Sequence, residues 1–318
     1  MTPALSVQDL TVRYGAFTAV RGVSFEVPHG SVLGLVGESG SGKSTVARAI
    51  VGLAPAQGAI RLGDADLTGR RGRAARRRVQ LVFQDPRGSL DPRRSVGDSI
   101  AEGLRGTGRR SARVAELLEL VSLDPSLAVV RPHQLSGGQR QRVAIARALA
   151  ADPEVLIADE VTASLDVSVQ AVVLNLLRRL QRELGLTMVF ISHNLAVVRY
   201  MSDEIAVMFN GRVVEQGPAG EVISAPEHPY TRSLLAAIPE LGAHRLLSEE
   251  AVEASVTARP APPPGCDYRL RCPVGPAVRE DRAICRTDDP AAQAGQRLHL
   301  AACHFAAERT ALAPVNPG

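Results

Sequence analysis

Apolar and polar side chains alternate in part along residues 5–14 and 20–27, with Val7, Leu10 and Val12 in the first run and Val23, Phe25 and Val27 in the second. A period of two marks a half-buried strand, so these runs predict a small antiparallel β layer. Val32 to Val36 is instead largely apolar, like a strand covered on both faces, and it ends at Gly37. Residues 44–53 take up helical spacing, which completes a strand, loop, helix unit. Further buried strands are predicted at 79–83, 155–158 and 187–192, with a helix over 167–184 between the last two. Alternation of this kind predicts a parallel sheet with helices packed on it. Between Asp85 and Ala151 the spacing is helical, clearest over 114–121 and 140–149, and predicts a helical insert over about 86–150. Ile205 to Phe209 and Arg212 to Glu215 flank Asn210-Gly211, a two-residue hairpin signal. After Pro239 the composition shifts, and Pro260, Pro262, Pro263 and Pro264 predict a stiff, extended linker. The predicted organisation is one domain over 1–240 and a linker with a C-terminal extension over 241–318.

Composition narrows the class. With 318 residues, 45% of them hydrophobic and 22% charged, the chain can bury a full core. No apolar run approaches the roughly 18 to 20 residues a membrane helix needs, and the first residues lack a basic segment followed by an apolar one. The expectation is a soluble cytoplasmic chain. Its formal charge of +4 permits contact with acidic surfaces without requiring nucleic acid. The run Arg70, Arg71, Arg73, Arg76, Arg77, Arg78 has no interleaved aromatics on which bases would stack, so a solvated helix face is the expected reading. Lys43 is the only lysine among 37 basic residues, which marks a position where a compact ammonium is required.

That lysine lies in Gly37-Glu38-Ser39-Gly40-Ser41-Gly42-Lys43-Ser44-Thr45, between a predicted strand and a predicted helix. The pattern is a phosphate loop: glycines let backbone N–H groups turn inward around phosphate oxygens, and the helix start adds partial positive charge. Lys43 is expected to reach the β and γ phosphates and Ser44 to ligate Mg²⁺. Val155-Leu156-Ile157-Ala158 ends in Asp159-Glu160, two carboxylates at the edge of a sheet where open α/β folds bind ligands. Asp159 suits an indirect Mg²⁺ contact, and Glu160 suits polarisation of an attacking water. Leu135-Ser136-Gly137-Gly138-Gln139 precedes a helix whose Val143, Ala146 and Leu149 share a face; Ser136 reads as its N-cap, and such a helix start is also an anion site.

That pentapeptide, taken with the phosphate loop, resembles the signature motif of ABC-type ATPases. The resemblance implies a P-loop NTPase fold of ABC type: a RecA-like parallel-sheet core, an antiparallel β layer and a helical subdomain, here with a cysteine-bearing C-terminal extension. It implies ATP and Mg²⁺ as ligands and a composite site, in which Ser136, Gly137, Gly138 and Gln139 close on the γ-phosphate held by a second ATPase subunit. Gln84 matches the family's Q-loop glutamine, a Mg²⁺ and water sensor. His193 matches the switch histidine, Tyr14 the aromatic that stacks on adenine, and Asp166 lies in the segment matching the D-loop. Glu160, His193 and Gln84 are thus the expected catalytic set. Where the family usually reads Asp-Glu-Pro-Thr-Ser-Ala-Leu-Asp, this chain has Val161 in place of proline, and Ala163 and Ser164 exchanged.

Gln84-Asp85-Pro86-Arg87-Gly88-Ser89-Leu90-Asp91-Pro92-Arg93, the later His228-Pro229-Tyr230-Thr231 and the cysteine-bearing tail resemble the oligopeptide, dipeptide and nickel branch of bacterial ABC importers. That branch implies two ATPase subunits beneath two transmembrane permease subunits, fed by an extracytoplasmic substrate-binding protein, with the ATPase peripheral at the cytoplasmic face of the membrane. Residues 85–100 would line the groove for a permease helix. Cys266, Cys272, Cys285 and Cys303 are separated by five, twelve and seventeen residues, which is not the spacing of a zinc ribbon. Disulfides do not suit a reducing cytoplasm, while a 4Fe–4S cluster, zinc and unligated thiols all stay open. Some tails of the branch hold a 4Fe–4S cluster on four cysteines, which makes these four its implied ligands. Two rival readings are a soluble ABC ATPase of DNA repair or translation and a regulatory subunit with a redox-sensing tail.

Overall fold

The computed structural model describes residues 2–68, 75, 77–104, 108, 110–237, 264–290 and 299–306. The expected linker prolines 260, 262 and 263, and Arg70, Arg71, Arg73 and Arg76 of the arginine run, lie outside them.

The N-terminal part is the expected antiparallel layer. β1 (Leu5–Tyr14) pairs with β2 (Phe17–Val27), and β4 (Gln57–Leu62) and β5 (Ala65–Asp66) complete a sheet ordered β2-β1-β4-β5. A second sheet of seven strands runs β11-β10-β9-β3-β8-β7-β6, made by β3 (Val32–Val36), β6 (Val79–Val82), β7 (Val155–Asp159), β8 (Thr187–Ser192), β9 (Glu204–Phe209), β10 (Arg212–Pro218) and β11 (Leu300–Ala301). β9, β3, β8, β7 and β6 are parallel; β10 and β11 continue the sheet antiparallel.

Every residue of β3, β7 and β8 is buried. The pleat sends alternate side chains to opposite sides, and two cores result. Val32, Val36, Leu156, Ala158, Met188 and Phe190 join one core with the helical region; Leu33, Leu35, Val155, Ile157, Val189 and Ile191 join the other with the N-terminal layer. A one-residue slip of any of these strands would exchange its two faces, so packing fixes the register.

Helices cover both sides. α1 (Lys43–Ile50) follows the loop after β3, and α6 (Val167–Leu184) joins β7 to β8 with Val173, Leu174, Leu176, Leu177 and Leu180 buried along one stripe. Between β6 and β7 lie α2 (Pro86–Ser89), α3 (Val96–Ala101), α4 (Arg110–Leu120), two 3₁₀ turns and α5 (Gly137–Leu149). α7 (Leu195–Met201), α8 (Ala219–Ser224) and α9 (Pro229–Ala236) complete the main body.

Several boundaries differ from the sequence reading, two of them with a plain cause. α1 ends at Ile50 rather than 53, because Gly52 takes φ 76° and the chain folds into a Schellman motif, with Gly52 N–H donating to Ala49 and Leu53 N–H to Arg48. β10 runs to Pro218 rather than 215, because Gln216, Gly217 and Pro218 stay paired with Ala206, Ile205 and Glu204 of β9; on its far edge two residues of the C-terminal segment add a short strand, Ala301 opposite Glu215 and Leu300 opposite Gln216. The Asn210-Gly211 turn is as expected, with both residues at positive φ (49° and 80°) and Phe209 paired with Arg212.

Candidate active site

β3 delivers the phosphate loop to the carboxyl edge of the parallel sheet, beside the ends of β7 and β8. Gly37 is required there by space: a Cβ would sit 2.2 Å from the carbonyl oxygen of Met208 on neighbouring β9. Lys43 is 4% exposed, and its Nζ donates to Gly37 O at 2.7 Å, Glu38 O at 2.9 Å and Ser41 Oγ at 3.4 Å. Burial lowers the Lys43 pKa, against the opposing pull of Glu160, Asp159 and Glu38. Ser44 Oγ donates to Asp159 Oδ1 at 2.9 Å, which joins the loop to the acidic pair. Asp159 is raised above the ordinary carboxylate range, first by burial, with the Ser44 bond opposing. Ser44 and Asp159 form a hard-oxygen pair of the kind Mg²⁺ takes, and a cation there would offset the desolvation of the Asp159 carboxylate.

Glu160 stands one residue beyond β7 with φ 47°, a left-handed backbone rarely taken by a residue with a side chain. Its N–H is held by Ile191 O on β8, and its own carbonyl closes a turn on Ala163 N–H. That conformation places Glu160 Oε1 3.6 Å from His193 Nδ1, just past the end of β8. Gln84, just past β6, is exposed, as is Asp166, the N-cap residue of α6. Tyr14 ends β1 and is 46% exposed, a free aromatic face. Val161, in place of the expected proline, is buried and packs in the core with α5 and α6.

The pentapeptide forms the start of α5. Ser136 Oγ accepts from Gln139 N–H at 3.2 Å and Gln139 Oε1 accepts from Ser136 N–H at 2.8 Å, a capping box that fixes the helix start. At Gly138 a Cβ would come within 2.5 Å of Val169 Cγ1, so glycine lets α5 approach the first turn of α6. The structure thus gathers Lys43, Ser44, Asp159, Glu160 and His193 into one site. Ser136 and Gln139 bond to each other instead, at a separate helix end.

The C-terminal segment holds the four cysteines around one cavity, also lined by His228, Arg282 and Phe305. All four are free thiols, and burial raises their pKa values, Cys266 and Cys272 to about 11. Among the described residues no group of three or more His, Cys, Asp or Glu is arranged to hold a metal ion. The segment is anchored by Glu215, which accepts from Glu227 and His228 N–H groups and bonds His299 Nε2 at 2.7 Å.

Residues 20–163 match the ABC transporter family model, and residues 214–277 match the C-terminal region of oligopeptide/dipeptide transporters. A Brucella ovis protein bearing the name of a peptide import ATP-binding protein is 42% identical over 315 residues, 95% of this chain and 98% of that one. The chain belongs to the ABC transporter ATP-binding family. A Brucella abortus protein of similar name is 50% identical over 265 residues, 80% of this chain and 79% of the other. Among solved structures, cbiO1 of Clostridium perfringens, part of the cbiONQ ABC transporter complex, superposes with a TM-score of 0.64 at 31% identity, covering 76% of this chain and 97% of that one. The ATP-binding cassette MJ0796, a dimer bound to ADP and Pi, gives 0.60 at 29% identity over 68% of this chain and 98% of its own. The fold is that of an ABC ATPase, and the chain is an ATPase of this family. No helix among the described residues is long and apolar enough to cross a membrane.

For this ABC ATPase, motif reading passed over two contacts at the phosphate loop. Tyr230 Oη accepts from Glu38 N–H at 2.9 Å, and Arg271 donates to both Glu38 carboxylate oxygens, at 3.0 and 2.7 Å. His228-Pro229-Tyr230-Thr231 had signalled the importer branch; its local role is to start α9, where His228 Nδ1 accepts from Tyr230 N–H and Tyr230 is buried. The partners are separated by 192 and 233 positions, which no local pattern reports.

Proposed function

We propose that this chain powers the import of di- or oligopeptides, as the ATP-hydrolysing subunit of a complex with a second ATPase subunit and two transmembrane permeases supplied by an extracytoplasmic binding protein. It would sit peripherally at the cytoplasmic face of the membrane. The observation that carries the reading is the match of residues 214–277 to the oligopeptide/dipeptide transporter C-terminal region, alongside relatives named for peptide import.

In this reading the loop from Gly37 through Ser39, Gly40, Ser41 and Gly42 to Thr45 cradles the phosphates of ATP with its backbone N–H groups. Lys43 leaves the carbonyls of Gly37 and Glu38 for phosphate oxygens, a better acceptor for a buried ammonium. Ser44 and Asp159 would hold Mg²⁺, directly and indirectly, with Gln84 completing the site from β6; the ion neutralises phosphate charge when bound. Glu160 orients the attacking water, and His193, 3.6 Å away, steadies Glu160 and meets the γ-phosphate. Tyr14 offers its exposed ring to the adenine. Ser136, Gly137, Gly138 and Gln139 serve the partner subunit's nucleotide, with Asp166 crossing the interface. Residues 1–240 act as the nucleotide-binding domain, 86–150 as its helical subdomain, and 241–318 as the appended segment.

The four cysteines would hold a 4Fe–4S cluster. Four free thiols line one cavity, and four thiolates are the ligand set such a cluster takes. Ligation would replace four thiol protons, removing the cost that burial places on the thiolates.

Purification of the tagged chain from membranes tests the assignment. Two permeases and a second ATPase should co-purify, and peptide-loaded binding protein should stimulate phosphate release. A soluble monomer hydrolysing ATP at full rate would refute the import reading. Iron and acid-labile sulfide, about four of each per chain, test the cluster on the same sample.

A further inference from the structure

Glu38 is an acid inside a loop built to receive polyphosphate, and the C-terminal segment answers it. Arg271 forms a bidentate pair with its carboxylate, while Arg271 itself lies over the rings of Phe209 (5.5 Å) and Tyr268 (5.9 Å). Tyr268 in turn packs on Phe209, Tyr230 and His228 with centroids 5.2 to 5.7 Å apart. The guanidinium is therefore aimed from a fixed platform. Glu38 acts on the phosphate-binding lysine: its charge pulls on Lys43, whose Nζ also bonds the Glu38 carbonyl. A carboxylate left bare at that point would repel incoming phosphate and compete for the ammonium.

We propose that Arg271 is a positioning residue for nucleotide binding, which neutralises Glu38 and pins the second residue of the phosphate loop, so that the cysteine-bearing segment helps set the affinity for MgATP. The inference rests on the ATP-site reading above. Both pair members are partly exposed, 46% and 37%, so the effect is modest. Losing a pair of this kind should change affinity roughly two- to five-fold.

The test is a cycle read by a fluorescent ATP analogue binding to the purified complex, with KM and kcat alongside. Arg271→Met keeps the stem over the aromatic rings and removes the charge; it should raise Kd and KM for nucleotide about two- to five-fold and leave kcat at saturation unchanged. Adding Glu38→Gln to that variant should restore wild-type affinity, because the carboxylate needing neutralisation is gone. Glu38→Gln alone, with the C-terminal segment untouched, should bind nucleotide as tightly as wild type or more tightly. A double variant as weak as Arg271→Met, or weaker binding by Glu38→Gln alone, would overturn the proposal, and the single acid variant decides should Arg271→Met not fold. Lys43→Ala separates the two readings: if it binds nucleotide like wild type, the ATP site itself has been misplaced.

Discussion

Replacing Glu160 separates chemistry from strain. Its carboxylate is 15% exposed, near Lys43 and Asp159, and 3.6 Å from His193. Glu160→Gln keeps the length of the side chain but removes a base, which should lower kcat about 10²- to 10⁴-fold, or roughly 3 to 5 kcal/mol on the barrier. Nucleotide affinity should stay within about twofold, since the loop, Lys43 and Ser44 are unchanged. Glu160→Gly should lose turnover as fully, with a different effect on the fold. A side chain at φ 47° costs about 1 to 2 kcal/mol, which glycine relieves, while glycine's extra unfolded-state entropy takes back roughly 0.5 to 1 kcal/mol. Asp159 also loses a repulsive neighbour while Lys43 loses an attractive one, so the two charge effects oppose each other. The inactive glycine variant should therefore melt at the wild-type temperature or slightly higher. Phosphate release by the assembled complex, equilibrium nucleotide binding and thermal melts read the three quantities. Normal turnover by Glu160→Gln would refute the chemical role; a glycine variant melting several degrees lower would refute the strain argument.

Gly37→Ala places a methyl 2.2 Å from the Met208 carbonyl in the middle of the sheet, so it should destabilise by about 1 to 3 kcal/mol and abolish MgATP binding, as melting and nucleotide titration would report. His299 has its pKa raised, chiefly by its bond to Glu215, so its anchoring contribution is complete below the ordinary histidine value and disappears as pH rises through the raised value. Hydrogen exchange across residues 299–306, corrected for intrinsic rate, should accelerate over that window, and His299→Gln should flatten the profile. Tyr268→Phe loses the 3.2 Å bond to Ser233 but keeps its ring contacts, so the melting temperature should fall by no more than the equivalent of about 1 kcal/mol.

What the sequence disclosed follows from the range of each signal. β3, β7 and β8 were legible because a strand buried on both faces must be apolar throughout, and Lys43, Ser44, Asp159, Glu160 and His193 because each lies at or just beyond the end of such a strand or its loop. The hairpin at Asn210-Gly211 was legible because two consecutive positive φ angles demand those residue types. β11 was not, since two residues carry no period and the pairing with β10 spans more than eighty positions. Nor was the Arg271–Glu38 pair: each residue is an ordinary surface charge in its own neighbourhood, and only the aromatic platform of Phe209, Tyr230 and Tyr268 brings them together. The left-handed backbone at Glu160 was also hidden, because glutamate has no preference for it and only the β7 to α6 connection imposes it.

The solitary lysine has a geometric cause. Three acceptors surround Lys43 Nζ, the carbonyls of Gly37 and Glu38 and the hydroxyl of Ser41, and an ammonium has three hydrogens to give. Arginine would bring a planar fork with five N–H donors into a space that leaves the residue 4% exposed, so at least two donors would be buried without partners, each costing about 1 to 3 kcal/mol. Many of the chain's other cations pair at or near the surface, as Arg78 does with Glu154 and Arg271 with Glu38, where a fork matching a carboxylate is the better shape. A sequence drift toward arginine is thus tolerated at every surface cation and stopped at the one site where a small, rotating charge must exchange loop carbonyls for phosphate.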